Sequence, residues 1–129
     1  MTRLVICAAL AALSSTATAQ AVSVTLSEWK IGLSRDTVPA GSVTFRVTNN
    51  GTVNHGFYVR GDGVDKGTRE VPPRQSASLV VTLKPGTYDI FCPMSDESHK
   101  NAGMARKMVV IPGGAPAAPK KPEPPTRSR

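Results

Sequence analysis

Apolar residues at every second position, interrupted every few residues by turn-formers, restrict this chain more than any other feature of it. Val43, Phe45 and Val47 alternate with Thr44, Arg46 and Thr48, the pattern of a strand with one buried face. Val22, Val24 and Leu26 alternate in the same way, and Trp29, Ile31 and Leu33 resume the pattern after a one-residue slip. That slip predicts a bulge or bend near Glu28. Pro39-Ala40-Gly41, Asn49-Asn50-Gly51 and Lys84-Pro85-Gly86 punctuate the runs with residues that preset or tolerate turn dihedrals. Further strands are expected over 52–60, 76–83, 87–91 and 104–111, with a Gly- and Asp-containing loop over 61–67 and one short helical turn within 95–102. No stretch of useful length carries apolar residues at helical spacing. The chain therefore reads as all-β, with seven or eight short strands, the number expected of a Greek-key β-sandwich.

The ends read differently from the middle. Arg3, an apolar run over 4–13 and the small residues Ala17-Thr18-Ala19 give residues 1–19 the pattern of a cleaved export signal. The run is about half the ~20 residues that span a bilayer, so the expectation is a periplasmic protein with no membrane span. Residues 20–111 suffice for one domain with a single core. Residues 112–129, PGGAPAAPKKPEPPTRSR, offer almost nothing apolar beyond alanine and proline and are expected to be a disordered, basic tail. The formal charge of +7 falls to +6 when Arg3 leaves with the signal, and half of that excess lies on the tail. The rest forms no basic run with interleaved aromatics, which argues against a nucleic-acid partner. A monomer is expected.

With Cys7 in the signal, Cys92 is the one cysteine left, and an unpaired thiol in an oxidising compartment requires a reason. By itself it would be a buried, inert thiol. Its surroundings argue otherwise. TYDIFCPMSDESHKNAGM puts Cys92, His99 and Met104 on one loop between two strands, with six residues between the first pair and four between the second. NNGTVNHGFYV supplies His55, the only other histidine. A thiolate, a thioether and two imidazoles suit copper, the thioether often being a weak axial ligand. Zinc held by one Cys, two His and a water stays open on these residues. A catalytic Cys/His pair fits worst, since no orienting third residue or oxyanion site is marked. Taken singly, His55 would be a structural histidine and Met104 a core residue opening a strand. Met94 reads as an apolar lid, and Asp96, Glu97 and Lys100 as a solvated loop face.

Both segments resemble the cupredoxins, the blue-copper family that includes plastocyanin, azurin and amicyanin. In that family a strand ending in an Asn/Gly turn leads to the first histidine, and a strand after a Pro-Gly turn leads into the Cys, His, Met loop. The resemblance covers 22–111. It implies a cupredoxin-like sandwich holding one copper ion that cycles between Cu(II) and Cu(I), with His55, Cys92 and His99 as the strong equatorial set and Met104 on the axis. Two positions depart from the pattern. The six-residue gap between Cys92 and His99 is longer than in plastocyanin or azurin, and Gly56 stands where the family commonly has an asparagine that braces the ligand loop. The Gly56 and Met94 backbone N–H groups are placed to reach the Cys92 sulfur and tune the site. His99 is expected nearer the surface than His55. The implied function is one-electron transfer with redox protein partners, not enzymatic catalysis, because no acid–base pair or open coordination position is marked. The alternative is a copper-buffering, copper-delivery or copper-tolerance protein that passes the ion to acceptors through the same ligands. A third reading is a structural module of the same fold.

Overall fold

In the computed structural model, which describes residues 20–113, the alternating runs form nine strands in two facing sheets. The expected signal over 1–19 and most of the expected tail, 114–129, lie outside the described residues. One sheet contains β1 (Gln20–Ser27), β2 (Lys30–Leu33), β4 (Gly41–Asn49) and β7 (Ser76–Leu83), in the order β2-β1-β4-β7. The other contains β3 (Thr37–Pro39), β5 (Tyr58–Gly61), β6 (Val64–Gly67), β8 (Gly86–Phe91) and β9 (Ala105–Ile111), in the order β3-β9-β8-β5-β6. β1 lies parallel to β4 and β3 parallel to β9, while the other pairs are antiparallel. The chain crosses between the sheets repeatedly, so their strands are interleaved in sequence. A single helical turn, α1 (Ser98–Asn101), lies in the loop before β9.

Period-two alternation fills the space between the sheets. Val22, Val24 and Leu26 of β1 and Val43, Phe45 and Val47 of β4 meet Tyr88, Ile90, Met108 and Val110 from the facing sheet in one cluster. Each such side chain stabilises the fold by about 1.5–3 kcal/mol when removed from water, the main return against chain entropy. Tyr88 and Ile90 point inward, and Cys92 continues their alternation past the end of β8. Strand phase alone therefore turns the thiol inward, and it is fully buried.

Three local expectations are corrected. Ser27 pairs with Lys30, so the bulge or bend expected near Glu28 is the two-residue turn of a β1–β2 hairpin, made by Glu28 and Trp29, and Trp29 is 47% exposed where the alternation would have buried it. The strand expected over 52–60 begins only at Tyr58, because the segment before it turns and His55 joins Val71 in an isolated bridge. The loop expected over 61–67 is a second hairpin, β5–β6, with Gly61 opposite Val64. Asp62 and Gly63 have φ of 42° and 75°, and positive φ at both central residues is what a type I′ turn demands. These hairpins raise the strand count above the seven or eight expected. Among the described residues no helix is long and apolar enough to cross a membrane.

Candidate metal centre

Three elements converge at one end of the sandwich. Cys92 arrives from β8, His99 from α1, and His55 from the bridged segment before β5. The ligand atoms of these three residues lie within 4.8 Å of one another, and all three residues are buried. Both histidines turn Nδ1 toward the thiol, with His55 at 4.0 Å and His99 at 3.7 Å from Cys92 Sγ. A first-row metal with bonds of about 2.0 Å to nitrogen and 2.3 Å to sulfur, set at a trigonal angle, separates those atoms by about 3.7 Å. Both sulfur–nitrogen separations therefore suit a small ion, and two imidazoles with a thiolate are a donor set suited to one copper ion.

Backbone contacts fix the sulfur. Gly56 N–H donates to Cys92 Sγ at 3.3 Å, as the sequence suggested, and among the described residues no such bond comes from Met94 N–H. A Cβ on Gly56 would meet Pro93 Cδ at 3.2 Å and the Met94 sulfur at 3.8 Å, so glycine lets the two loops approach. Met94 is partly buried against the core beside it. Met104 is fully buried; its carbonyl accepts the Cys92 N–H and its own N–H donates to the His99 carbonyl, each at 3.1 Å. Its backbone is thus tied to the two residues with which the sequence grouped it.

The loop before His55 is held by two residues whose part at the site the sequence pattern did not reveal. Asn49, fully buried, donates through Nδ2 to the carbonyls of Val53 and Val71 and accepts the Gly51 N–H through Oδ1, all at 2.8 Å. Glu28 reaches across from its hairpin so that Oε1 accepts Thr52 N–H at 2.7 Å, Val53 N–H at 3.1 Å and His55 Nε2 at 3.2 Å. The amides of Thr52 and Val53 lower the Glu28 pKa to about 2 from an ordinary 4.5. Burial, and then the neighbouring His55, hold His99 below its ordinary value. His99 is 9% exposed and His55 not at all, in the order expected, but the exposed indole of Trp29 stands edge-on to His99 at 4.8 Å and to His55 at 6.4 Å. Asn49 was legible as a turn-former and Trp29 only as an apolar residue out of phase; no short-range signal in the sequence connected Glu28 to His55.

The connection between Cys92 and His99 uses an unusual backbone. Ser95, Asp96 and Glu97 have φ of 53°, 52° and 65°, three successive non-glycine residues in the left-handed region. L-residues seldom occupy that region consecutively, at about 1–2 kcal/mol each. The surface of the loop carries Glu97, 3.4 Å from Lys100 and 4.0 Å from Arg60, while both cations lie over the Phe91 ring at 4.7 and 4.8 Å.

Comparison with known proteins gives a consistent result. The family model described as a cupredoxin-like domain matches residues 1–102, ending just before Met104. Among curated proteins no match is found. Similar solved structures include the dithionite-reduced auracyanin of Roseiflexus castenholzii, with a TM-score of 0.63 and 21% identity over 72% of this chain and 98% of that one. Auracyanin B scores 0.62 at 21% identity over 72% and 89%. Auracyanin A of Chloroflexus aurantiacus, described as a "blue" copper protein, scores 0.61 at 18% identity over 72% and 99%. At these identities the likeness concerns the fold.

Proposed function

This chain belongs to the cupredoxin-like domain family, and from that premise we propose that it is an exported one-electron carrier that binds copper through His55, Cys92 and His99, with Met104 as the weak thioether ligand. The observation that carries the reading is the buried convergence of two Nδ1 atoms on one cysteine sulfur at 3.7 and 4.0 Å. Bound copper would supply the Cu(II)/Cu(I) couple, and the protein's part is to keep the donors still. Gly56 N–H pins the sulfur, Met104 ties Cys92 to His99 through the backbone, and Asn49 holds the approach to His55. Donors already in place change little when one electron arrives or leaves, which favours exchange of electrons over exchange of metal. The auracyanin A description as a blue copper protein supports the same assignment.

The outer face suits contact with another protein. His99 is the ligand nearest solvent, and Trp29 stands edge-on beside it. A redox partner docking there approaches within one aromatic ring of the ligand set. Stopped-flow mixing tests the carrier reading. Fast electron exchange with retained copper is expected; rapid loss of copper to a chelator with negligible electron exchange would replace it with the copper-handling reading.

A further inference from the structure

The carboxylate of Glu28 occupies a seat made for it. Three donors converge on its Oε1, two from the backbone of Thr52 and Val53 and one from His55 Nε2. Gly51 provides the room, since any Cβ there would run into the Glu28 carboxyl group. Asn49 Oδ1 in turn fixes Gly51 by taking its N–H at 2.8 Å. The side chain reaches this seat from the turn of the β1–β2 hairpin, and His55 beneath it is fully buried while Glu28 remains 29% exposed.

We propose that Glu28 is a positioning residue for the metal centre: its carboxylate fixes the tautomer and orientation of His55 and favours the oxidised state of a bound copper. The inference rests on the copper reading of the site. A carboxylate oxygen only accepts, so the His55 nitrogen facing it at 3.2 Å carries the ring proton. His55 Nδ1, the nitrogen turned to the Cys92 sulfur, is then left with its lone pair free for a metal. A negative charge on the outer nitrogen of a ligating imidazole raises its basicity, and loss of such a partner typically costs 10–100-fold in metal affinity. The higher charge of Cu(II) makes that ion the more sensitive to the carboxylate. A plain structural clamp for the 51–53 loop would need an acceptor oxygen and no charge.

Glu28→Gln separates the two roles, since it keeps an Oε1 acceptor for both amides and removes the charge. The expected result is a copper-loaded variant whose Cu(II) affinity falls about tenfold relative to Cu(I), which raises the reduction potential by about 59 mV. An unchanged potential in a variant that keeps its copper overturns the proposal. A second measurement needs neither variant nor copper: nitrogen-15 NMR of the wild-type apoprotein should find the His55 proton on Nε2, and a proton on Nδ1 overturns the proposal. If the wild-type protein takes up no copper, the reading of the site fails by itself, and the tautomer still decides whether Glu28 orients His55.

Discussion

Asn49→Ala should destabilise the apoprotein by about 2–4 kcal/mol, far more than a single polar side chain usually contributes. The magnitude follows from what each partner of Asn49 loses. Gly51 is buried, so its N–H loses its acceptor with no water to replace it, a penalty of about 1–3 kcal/mol. Val53 is 41% exposed and its carbonyl can be rehydrated, while the Val71 carbonyl keeps the His55 N–H at 3.2 Å, so these two losses together add about 1 kcal/mol. For a folded unit of this size the sum lowers Tm by about 10–25 °C. Urea unfolding of the apoprotein, followed by far-ultraviolet circular dichroism, measures the change. Asn50→Ala is the control: the exposed Asn50 side chain makes no hydrogen bond among the described residues, and its removal should stay within about 0.5 kcal/mol. If Asn49→Ala matches that control, the assignment of Asn49 as the brace of the loop before His55 is wrong.

Ser95→Gly should stabilise the apoprotein by about 0.5–1 kcal/mol, because glycine accepts the φ of 53° freely while adding freedom to the unfolded chain; a loss in thermal denaturation contradicts the strain argument. Trp29 is the only tryptophan and stands 4.8 Å from His99, so Cu(II) should quench its fluorescence until the site is full, with recovery on chelation. Unaltered emission from a copper-loaded protein would remove Trp29 from the centre. Acid should weaken the apoprotein in two windows, since each group binds protons less readily when folded. His99 contributes as pH falls from its ordinary 6.5 toward its lowered folded value, and Glu28 as pH falls from 4.5 toward about 2. A urea midpoint that is flat from pH 7 to pH 3 contradicts both directions.

The sequence disclosed what depends on strand phase and residue type. The alternation in β1 and β4 pointed to the β class, and in the structure the inward phase of Tyr88 and Ile90 carries on to Cys92. The grouping of His55 with Cys92 and His99 followed from the scarcity of such residues, and the structure brings all three together. What escaped depends on contacts distant in sequence or on turn geometry. Asp62-Gly63 carried a hairpin signal that was read as a loop, and the slip at Glu28 fitted a bulge as well as a turn. The contact of Glu28 with His55 spans 27 positions and follows from the pairing of β1 with β4, which brings Leu26 opposite Asn49. No periodicity within either segment could have indicated it.

Absorption spectroscopy during titration of the apoprotein with Cu(II) tests the central claim most directly. An intense visible band from charge transfer between the Cys92 thiolate and copper is expected, saturating at a single equivalent and absent in Cys92→Ser. A colourless or only weakly absorbing complex, or a band that survives in Cys92→Ser, would contradict it.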